Sequence, residues 1–226
     1  MTSDVPGPGS GVPLVELQHV TKSYGTGSAQ VTVVEDVSLS LHAGECVWLR
    51  GASGSGKSSL LRIAGLLSTA DSGEVVIEGR PVRGAQGHHE LRRRRIGMVF
   101  QQGNLLPDLT VADNILVAAR GATRAAVAEQ LSEWGLADVA DRLGKQVSAG
   151  QSQRAAFCRA LINDPVILLA DEPTSGLDQA NAERVLRVLD ASRAHGRGIL
   201  VASHDPVMAD VADRTLEISD GRLCLT

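Results

Sequence analysis

The chain has 226 residues, of which 43% are hydrophobic and 21% charged, and its formal net charge is −4. This length and composition fit one well-cored globular domain, and the acidic balance argues against a nucleic-acid-binding surface, which is normally basic. No stretch approaches the roughly 20 apolar residues that a membrane-spanning helix needs. Cys46, Cys158 and Cys224 have neither metal-site nor paired spacing, so reduced cytosolic thiols are expected.

The chain begins with a segment, residues 1–12, that is rich in Pro, Gly and Ser and lacks the basic and apolar regions of a signal peptide. It predicts a flexible tail before a single domain over 13–226. Apolar alternation then predicts two strands with one solvated face, at 14–20 and 31–41. A Gly/Ser turn at 23–29 is expected to join them.

A buried strand at 45–51 runs directly into GASGSGKS at 51–58, and helical periodicity follows over 58–67. This strand–loop–helix context is that of a phosphate-binding loop, although a Gly/Ser loop without a ligand is the alternative. Its glycines let backbone amides face phosphate oxygens. Lys57 is expected to reach the β- and γ-phosphates, and Ser58 to ligate Mg²⁺. The predicted nucleotide contacts here are Gly51, Ala52, Ser53, Gly54, Ser55, Gly56, Lys57, Ser58 and Ser59.

The middle of the chain changes from strands to helices. A strand with a turn is predicted at 72–82, and HHELRRRRIGMVFQ at 88–101 leads into another buried strand. Its arginine run favours a solvated face or a surface that meets a partner. Ala/Leu-rich patterns separated by glycines then predict a helical lobe over about 104–160, inserted in the core. A helix within 148–162 is predicted to have Ser148 as its N-cap.

Two adjacent carboxylates follow the apolar strand in ILLADEP at 167–173. Asp171 is expected to hold Mg²⁺, and Glu172 to polarise an attacking water. The alternative is an acid pair that only caps the next turn. A helix at 179–192, a strand at 198–203, a short helix from 206 and a hairpin at 215–225 complete the chain. The alternation of strands and helices predicts a mainly parallel sheet with covered faces.

Five motifs in this order resemble those of the ATP-binding cassette (ABC) ATPase family: GASGSGKS, VFQQ at 99–102, VSAGQ at 147–151, ILLADEP and ASHD at 202–205. The resemblance covers nearly everything from Leu14 onwards. It implies an α/β fold, with a P-loop NTPase (RecA-like) core, a mainly parallel sheet, an antiparallel β subdomain and an inserted α-helical lobe. It also implies ATP and Mg²⁺ as ligands.

The resemblance assigns further residues to the site. VSAGQ is similar to the family's signature, usually LSGGQ, which implies that Ser148, Gly150 and Gln151 contact the γ-phosphate bound by a partner subunit; a plain N-capped helix is the alternative. Val147 and Ala149 depart from the usual motif. The methyl of Ala149 is expected to hinder tight closure or slow hydrolysis.

The remaining motifs supply supporting residues by the same resemblance. Gln101 is implied to lie near Mg²⁺ and the attacking water, with Gln102 the less favoured candidate. Asp178, which ends SGLD, is implied to act across the interface between two copies. His204 is implied to contact the γ-phosphate and to orient the catalytic carboxylate. Tyr24 matches the aromatic residue that stacks on adenine.

The implied function is ATP hydrolysis by two copies that enclose two ATP molecules and power a separate membrane permease. The segment at 96–115 is similar to the subfamily that serves lipoprotein release and macrolide export, and the importer-type regulatory domain is not found after Thr226, so export is expected. The protein would then be cytoplasmic and peripheral on the inner face of the membrane. The alternatives are a non-transport ABC ATPase and a weakly hydrolysing, ATP-dependent scaffold.

Overall fold

The computed structural model describes residues 11–101 and 103–224. In chain order, the strands are β1 (Val15–Tyr24), β2 (Val31–Leu41), β3 (Cys46–Arg50), β4 (Ser72–Ile77), β5 (Arg80–Pro81), β6 (Ile96–Val99), β7 (Ile167–Asp171), β8 (Gly198–Ala202), β9 (Arg214–Ser219) and β10 (Arg222–Cys224). The α-helices are α1 (Lys57–Ala64), α2 (Gly84–Arg95), α3 (Val111–Leu116), α4 (Arg124–Glu133), α5 (Ala149–Leu161) and α6 (Gln179–Ala194).

Residues 1–10 of the predicted tail and Gln102 lie outside the described residues. The division of the chain into a tail at 1–12 and a domain at 13–226 therefore stays a prediction. Among the residues that the structure does describe, no helix is long and apolar enough to cross a membrane.

The central sheet has six strands in the order β10-β9-β3-β8-β7-β6. Neighbouring strands run parallel from β9 to β6, and only the edge hairpin of β9 and β10 is antiparallel. The strands β7 and β8 are buried along their whole length and consist mainly of Ile, Leu, Val and Ala. Such continuous apolar runs are expected where helices cover both faces of a parallel sheet. The predicted fold class is confirmed.

A second, antiparallel sheet has the order β2-β1-β4-β5. Its first strand extends further than the sequence indicated, because Ser23 and Tyr24 belong to β1 and not to the turn predicted at 23–29. Ser23 pairs with Thr32, and its backbone N–H donates to Asp71 at 2.7 Å. These bonds continue the strand, so the turn that remains is a short 3₁₀ segment at Gly27–Ala29.

The core consists of three apolar clusters. One lies between the two sheets and includes Leu17, Leu39, Leu49 and Leu60. The second covers the opposite face of the parallel sheet, where α5 and α6 pack. The third is the core of the helical lobe, where α3, α4 and α5 meet. The lobe thus has its own apolar centre and shares α5 with the body of the domain.

The helix α2 is absent from the sequence prediction. Its sequence, GAQGHHELRRRR, has no apolar periodicity, which is why the pattern gave no helical signal. Tertiary contacts hold it: Arg92 donates to the carbonyl of Leu66 at 2.7 Å, and Arg95 pairs with Glu78. The arginine run is therefore partly a structural element and not simply a solvated face.

Candidate active site

The parallel sheet brings three of the motifs to one edge. β3 runs into the glycine-rich loop, β7 ends at Asp171, and β8 is followed by Ser203 and His204. Because β8 lies between β3 and β7 and all three run parallel, their carboxyl ends meet at the same edge of the sheet. In open α/β sheets, this edge is where ligands bind.

The glycine-rich loop turns tightly into α1, which begins at Lys57. Gly56 has a φ of +106°, and a Cβ there would lie 2.1 Å from the carbonyl oxygen of Val33, so no larger residue fits. The β2 strand therefore packs directly against the loop. The Nζ atom of Lys57 donates to the carbonyls of Gly51 at 2.7 Å and Ala52 at 3.0 Å. The ammonium group thus lies over the loop. Ser59, the last of the predicted contacts in this motif, is the third residue of α1.

Asp171 and Ser58 face each other across the sheet edge. The Ser58 hydroxyl donates to Asp171 Oδ1 at 3.0 Å. Burial raises the pKa of Asp171, whereas the hydrogen bond from Ser58 lowers it and the charge of Glu172 raises it. Two hard oxygen donors at this position fit Mg²⁺, which binds through one or two protein oxygens together with phosphate oxygens and water. No cluster of three or more His, Cys, Asp or Glu side chains suited to a metal occurs among the described residues.

Glu172 is held at the end of β7 in a left-handed backbone conformation, with a φ of +46°. A non-glycine residue in this region costs roughly 1–2 kcal/mol. The neighbouring strand β8 stabilises this conformation, because the backbone N–H of Glu172 donates to the carbonyl of Ala202 at 2.7 Å. Glu172 Oε2 lies 2.9 Å from His204 Nδ1, and Oε1 lies 3.9 Å from Lys57 Nζ. The carboxylate therefore faces the phosphate loop and does not cap the next turn.

Ser203 is a site residue that the sequence prediction missed. It is fully buried, and its hydroxyl donates to Glu172 Oε2 at 3.1 Å. The same hydroxyl accepts the backbone N–H of Asp205 at 3.1 Å. Its position beside His204 in ASHD was the available signal, but a small polar residue after a buried strand has many structural uses. The contact to Glu172 gives it a positioning role.

The start of α5 forms a second, separate cluster. Ser148 is its N-cap, as predicted, and accepts the N–H of Gln151 at 3.3 Å, while Gln151 Oε1 accepts the N–H of Ser148 at 2.9 Å. This reciprocal pair is a capping box. Gly150 is buried against Asn181, whose side chain lies 2.8 Å from the position that a Cβ would take. Ala149 is the exposed first residue of the helix.

Asn181 links this helix to Asp178. Asp178 is the N-cap of α6, and it accepts the N–H of Asn181 at 2.8 Å and its side-chain amide at 2.9 Å. The guanidinium of Arg154, from α5, donates to Asn181 Oδ1 at 2.8 Å. The sequence prediction missed Asn181, because it belongs to none of the five motifs. It fixes Gly150 and Asp178 on one surface.

The two clusters are not bonded to each other in the described part of the chain. Within residues 11–101 and 103–224, no hydrogen bond or ion pair joins Ser148, Gly150 or Asp178 to the residues around the phosphate loop. Gln101 is exposed and follows β6, which pairs with β7. Tyr24 ends β1, is 44% exposed, and has Lys22 Nζ 5.6 Å from its ring centroid. Neither side chain makes a hydrogen bond to the loop in the described structure.

Comparison with known proteins decides the family. A family model described as "ABC transporter" matches residues 34–175, which is more than half of the chain. The chain belongs to the ABC transporter family. Among solved structures, this ABC protein is similar to the dimeric ATP-binding cassette MJ0796 in a post-hydrolysis state bound to ADP and Pi. The TM-score is 0.85, with 35% identity over 92% of this chain and 96% of that one.

Two curated relatives of this ABC protein are named for lipoprotein release and macrolide export, the subfamily that the segment at 96–115 resembles. The lipoprotein-releasing system ATP-binding protein LolD of Roseobacter denitrificans is 42% identical over 93% of this chain and 97% of its own length. The macrolide export ATP-binding/permease protein MacB of Salmonella typhimurium is 40% identical over 93% of this chain. The chain spans about a third, 34%, of that relative's length.

Proposed function

We propose that this chain is the ATP-binding and ATP-hydrolysing subunit of an ABC transporter, in which two copies enclose two ATP molecules. The observation that carries the proposal is the separation of two complementary half-sites on one chain. One is the phosphate loop with Lys57, Asp171 and Glu172, and the other is the N-terminus of α5 with Ser148. Each is incomplete alone, so a second copy supplies what the first lacks.

ATP binds first to the phosphate loop. The loop amides and the N-terminus of α1 favour the anion, and Lys57 exchanges the carbonyls of Gly51 and Ala52 for phosphate oxygens. Ser58, Asp171 and Gln101 would hold Mg²⁺, which supplies positive charge to the phosphate oxygens when bound. Tyr24 stacks on adenine from the exposed end of β1.

Glu172 acts as the base for the attacking water. Its carboxylate accepts the proton of the water as the oxygen bonds to the γ-phosphorus and the bond to ADP breaks. The hydroxyl of Ser203 and the imidazole of His204 hold the carboxylate in place at 3.1 Å and 2.9 Å. The His204 ring is also largely exposed, at 69%, so it is accessible to the γ-phosphate.

The second copy completes the site. Its Ser148, Gly150 and Gln151 present the positive end of α5 to the γ-phosphate, and its Asp178 acts across the interface. Because these contacts depend on the γ-phosphate, ATP favours the closed pair and hydrolysis releases it. Asn181 maintains the spacing between Gly150 and Asp178.

A membrane permease is the proposed partner, with the chain cytoplasmic and peripheral on the inner face of the membrane. Two relatives named for lipoprotein release and macrolide export support an exporter. A groove between β6 and the lobe supports a docking surface near Gln101: it is lined by Arg93, Arg159 and Val117, and Val117 is 68% exposed. Arg159 also donates to the carbonyl of Gly103, which links α5 to the segment after Gln101.

ATP turnover measured against protein concentration tests the proposed function. We expect Mg²⁺-dependent hydrolysis whose rate per chain rises with concentration and then levels off, because two copies must meet to complete a site. The weakly hydrolysing scaffold predicts ATP-dependent pairing with no turnover, with or without the permease. That result would refute the transport ATPase, whereas a non-transport ABC ATPase would hydrolyse ATP without responding to any permease.

Replacing Ser203 by Ala is expected to lower kcat about tenfold with little change in KM. The substitution removes a hydrogen bond that holds Glu172 in place, and the Ser203 side chain is not one of the proposed contacts to ATP. Steady-state ATPase kinetics measure both constants. Ser192→Ala is the matched control, since Ser192 is also buried but lies on α6. Equal losses in the two variants would indicate a packing effect and remove the positioning role.

Asp171→Asn is expected to stabilise the nucleotide-free protein while abolishing Mg²⁺-dependent hydrolysis. The pKa of Asp171 is raised above its ordinary 3.8 by burial, so the folded chain binds this proton more tightly than the unfolded chain. The free energy of unfolding therefore falls as the pH rises from 3.8 through the raised pKa of the folded chain. At pH 7.5 the ionised, buried carboxyl destabilises the folded chain. The neutral amide removes this effect.

Thermal unfolding from pH 4 to pH 7.5 measures the effect of Asp171→Asn. We expect the variant to have the higher Tm at pH 7.5, by about 2–4 °C for each kcal/mol gained, and the difference to narrow towards pH 4. Asp141→Asn is the control, because Asp141 is exposed. A lower Tm for Asp171→Asn at pH 7.5 would contradict the account.

A further inference from the structure

A cavity of about 710 Å³ lies between α6 and the helical lobe, and none of its lining residues belongs to the two half-sites. One face of α6 forms a wall, because Arg184, Arg187, Ala191 and His195 recur at intervals of three or four residues. The volume falls within the range of small-molecule sites, roughly 300–1,000 Å³. The nucleotide mechanism makes no use of this cavity.

The lining of the cavity is strongly positive. It contains four arginines and a single carboxylate, Glu133. Arg197 pairs with Asp164, but Arg184 and Arg187 make no hydrogen bond or ion pair to any residue of the described ranges 11–101 and 103–224. On a chain with a net charge of −4, this local excess of positive charge is the reverse of the overall balance.

Arg154 is a partly buried member of the cluster. Its Nε atom is buried without a hydrogen-bond partner within the described chain, as is Gln130 Oε1 from α4. Burial lowers the pKa of the Arg154 guanidinium, and the positive charge of Arg184 lowers it further. The guanidinium also donates to Asn181 Oδ1 at 2.8 Å, and the charges of Asp138 and Asp178 raise its pKa, but burial is the largest effect. A bound anion would add negative charge and further hydrogen-bond acceptors beside it.

The remaining wall is apolar. Trp134 lines the cavity and stacks on Phe157 with ring centroids 6.0 Å apart, and Leu161 and Val188 lie beside it. A rigid aromatic wall next to arginine side chains suits a ligand with two parts, a flat apolar body and an anionic group. Arginine binds phosphate and carboxylate oxygens through paired N–H donors.

We propose that this cavity is a second ligand site, which binds a small organic anion with its phosphate or carboxylate group against Arg154, Arg184 and Arg187 and its apolar body against Trp134. The site goes beyond the proposed ATPase function, because none of the proposed nucleotide contacts lines it. Arg154 connects the two sites, since it also donates to Asn181 beside Gly150. A ligand there would contact the lobe and α6 together.

Phenyl phosphate is the probe for the test, because it joins an aromatic ring to a phosphate group. The chain has two tryptophans, so a ¹H–¹⁵N spectrum gives two indole signals, and Trp48 is an internal reference outside the cavity. The titration is done in Lys57→Ala protein, which weakens binding at the phosphate loop. We expect a saturable shift of the Trp134 signal with a Kd of about 0.1–1 mM and weaker binding of inorganic phosphate.

Arg184→Ala with Arg187→Ala is expected to raise this Kd about tenfold or more, and both side chains are exposed, so the fold is expected to persist. Arg142→Ala, an exposed arginine of the lobe outside the cavity, is the matched control and is expected to leave the Kd unchanged. Benzoate in a parallel titration distinguishes a carboxylate from a phosphate headgroup. No saturable shift of Trp134, or one that survives loss of both arginines, would overturn the proposal.

Discussion

Glu172→Gln is expected to reduce ATP turnover by about 10²–10⁴-fold while leaving ATP binding intact. The amide can still accept hydrogen bonds from Ser203 and His204, so the geometry at the end of β7 should persist. It cannot take the proton of the attacking water. In the proposed mechanism hydrolysis separates the two copies, so the variant should accumulate as an ATP-bound dimer.

Size-exclusion chromatography with ATP and steady-state ATPase assays measure these two effects. The control is the same variant with ADP, which lacks the γ-phosphate and should elute as a monomer. Turnover close to that of the wild type would show that Glu172 is not the base. A monomer in the presence of saturating ATP would instead contradict the link between hydrolysis and separation.

Ser148→Asp is expected to leave the fold intact and to lower turnover about a hundredfold. Asp is as good an N-cap as Ser, so the free energy of unfolding should change by less than about 0.5 kcal/mol. In the closed pair, however, its carboxylate would face the γ-phosphate of the partner's ATP, and two like charges in contact are strongly unfavourable. The ATP-dependent dimer should therefore not form.

Thr123→Asp is the matched control for this prediction. Thr123 is the N-cap of α4, accepts the N–H of Ala126 at 3.2 Å and is exposed, so the same new charge appears on the lobe away from the proposed interface. It should hydrolyse ATP like the wild type. If Ser148→Asp also keeps normal turnover, the start of α5 does not contact nucleotide.

Local signals in the sequence were sufficient for most of the fold. Apolar runs predicted β7 and β8, and Ser148 was correctly predicted as the N-cap of α5. The α2 helix could not be predicted in this way, since tertiary contacts such as that of Arg92 with Leu66 determine it. The extension of β1 to Tyr24 likewise depends on pairing with β2 across the turn and on a bond to Asp71, which is distant in sequence.

The candidate site likewise contains residues that sequence motifs predicted and residues that only the folded structure identified. Lys57, Ser58, Asp171, Glu172 and His204 belong to recognisable motifs, and the structure brings them together at one sheet edge. Ser203 lies within ASHD and Asn181 lies outside the five motifs, but the contacts of Ser203 with Glu172 and of Asn181 with Gly150 appear only in the folded chain. The nucleotide roles of all the predicted site residues stay predictions, and those of Gln101, Tyr24 and Asp178 have the least support, because no hydrogen bond in the described structure joins these side chains to the phosphate loop.

The central claim is that each ATP site is shared between two copies, and mixing two inactive variants tests it most directly. Lys57→Ala retains its α5 half-site, and Ser148→Asp retains its phosphate loop, so only a mixed dimer contains one intact composite site. We expect the equimolar mixture to recover up to about a quarter of wild-type turnover, because half of the dimers are mixed and each has one intact site of two. Turnover no greater than that of the separate variants, with mixed dimers shown to form, would contradict a shared site.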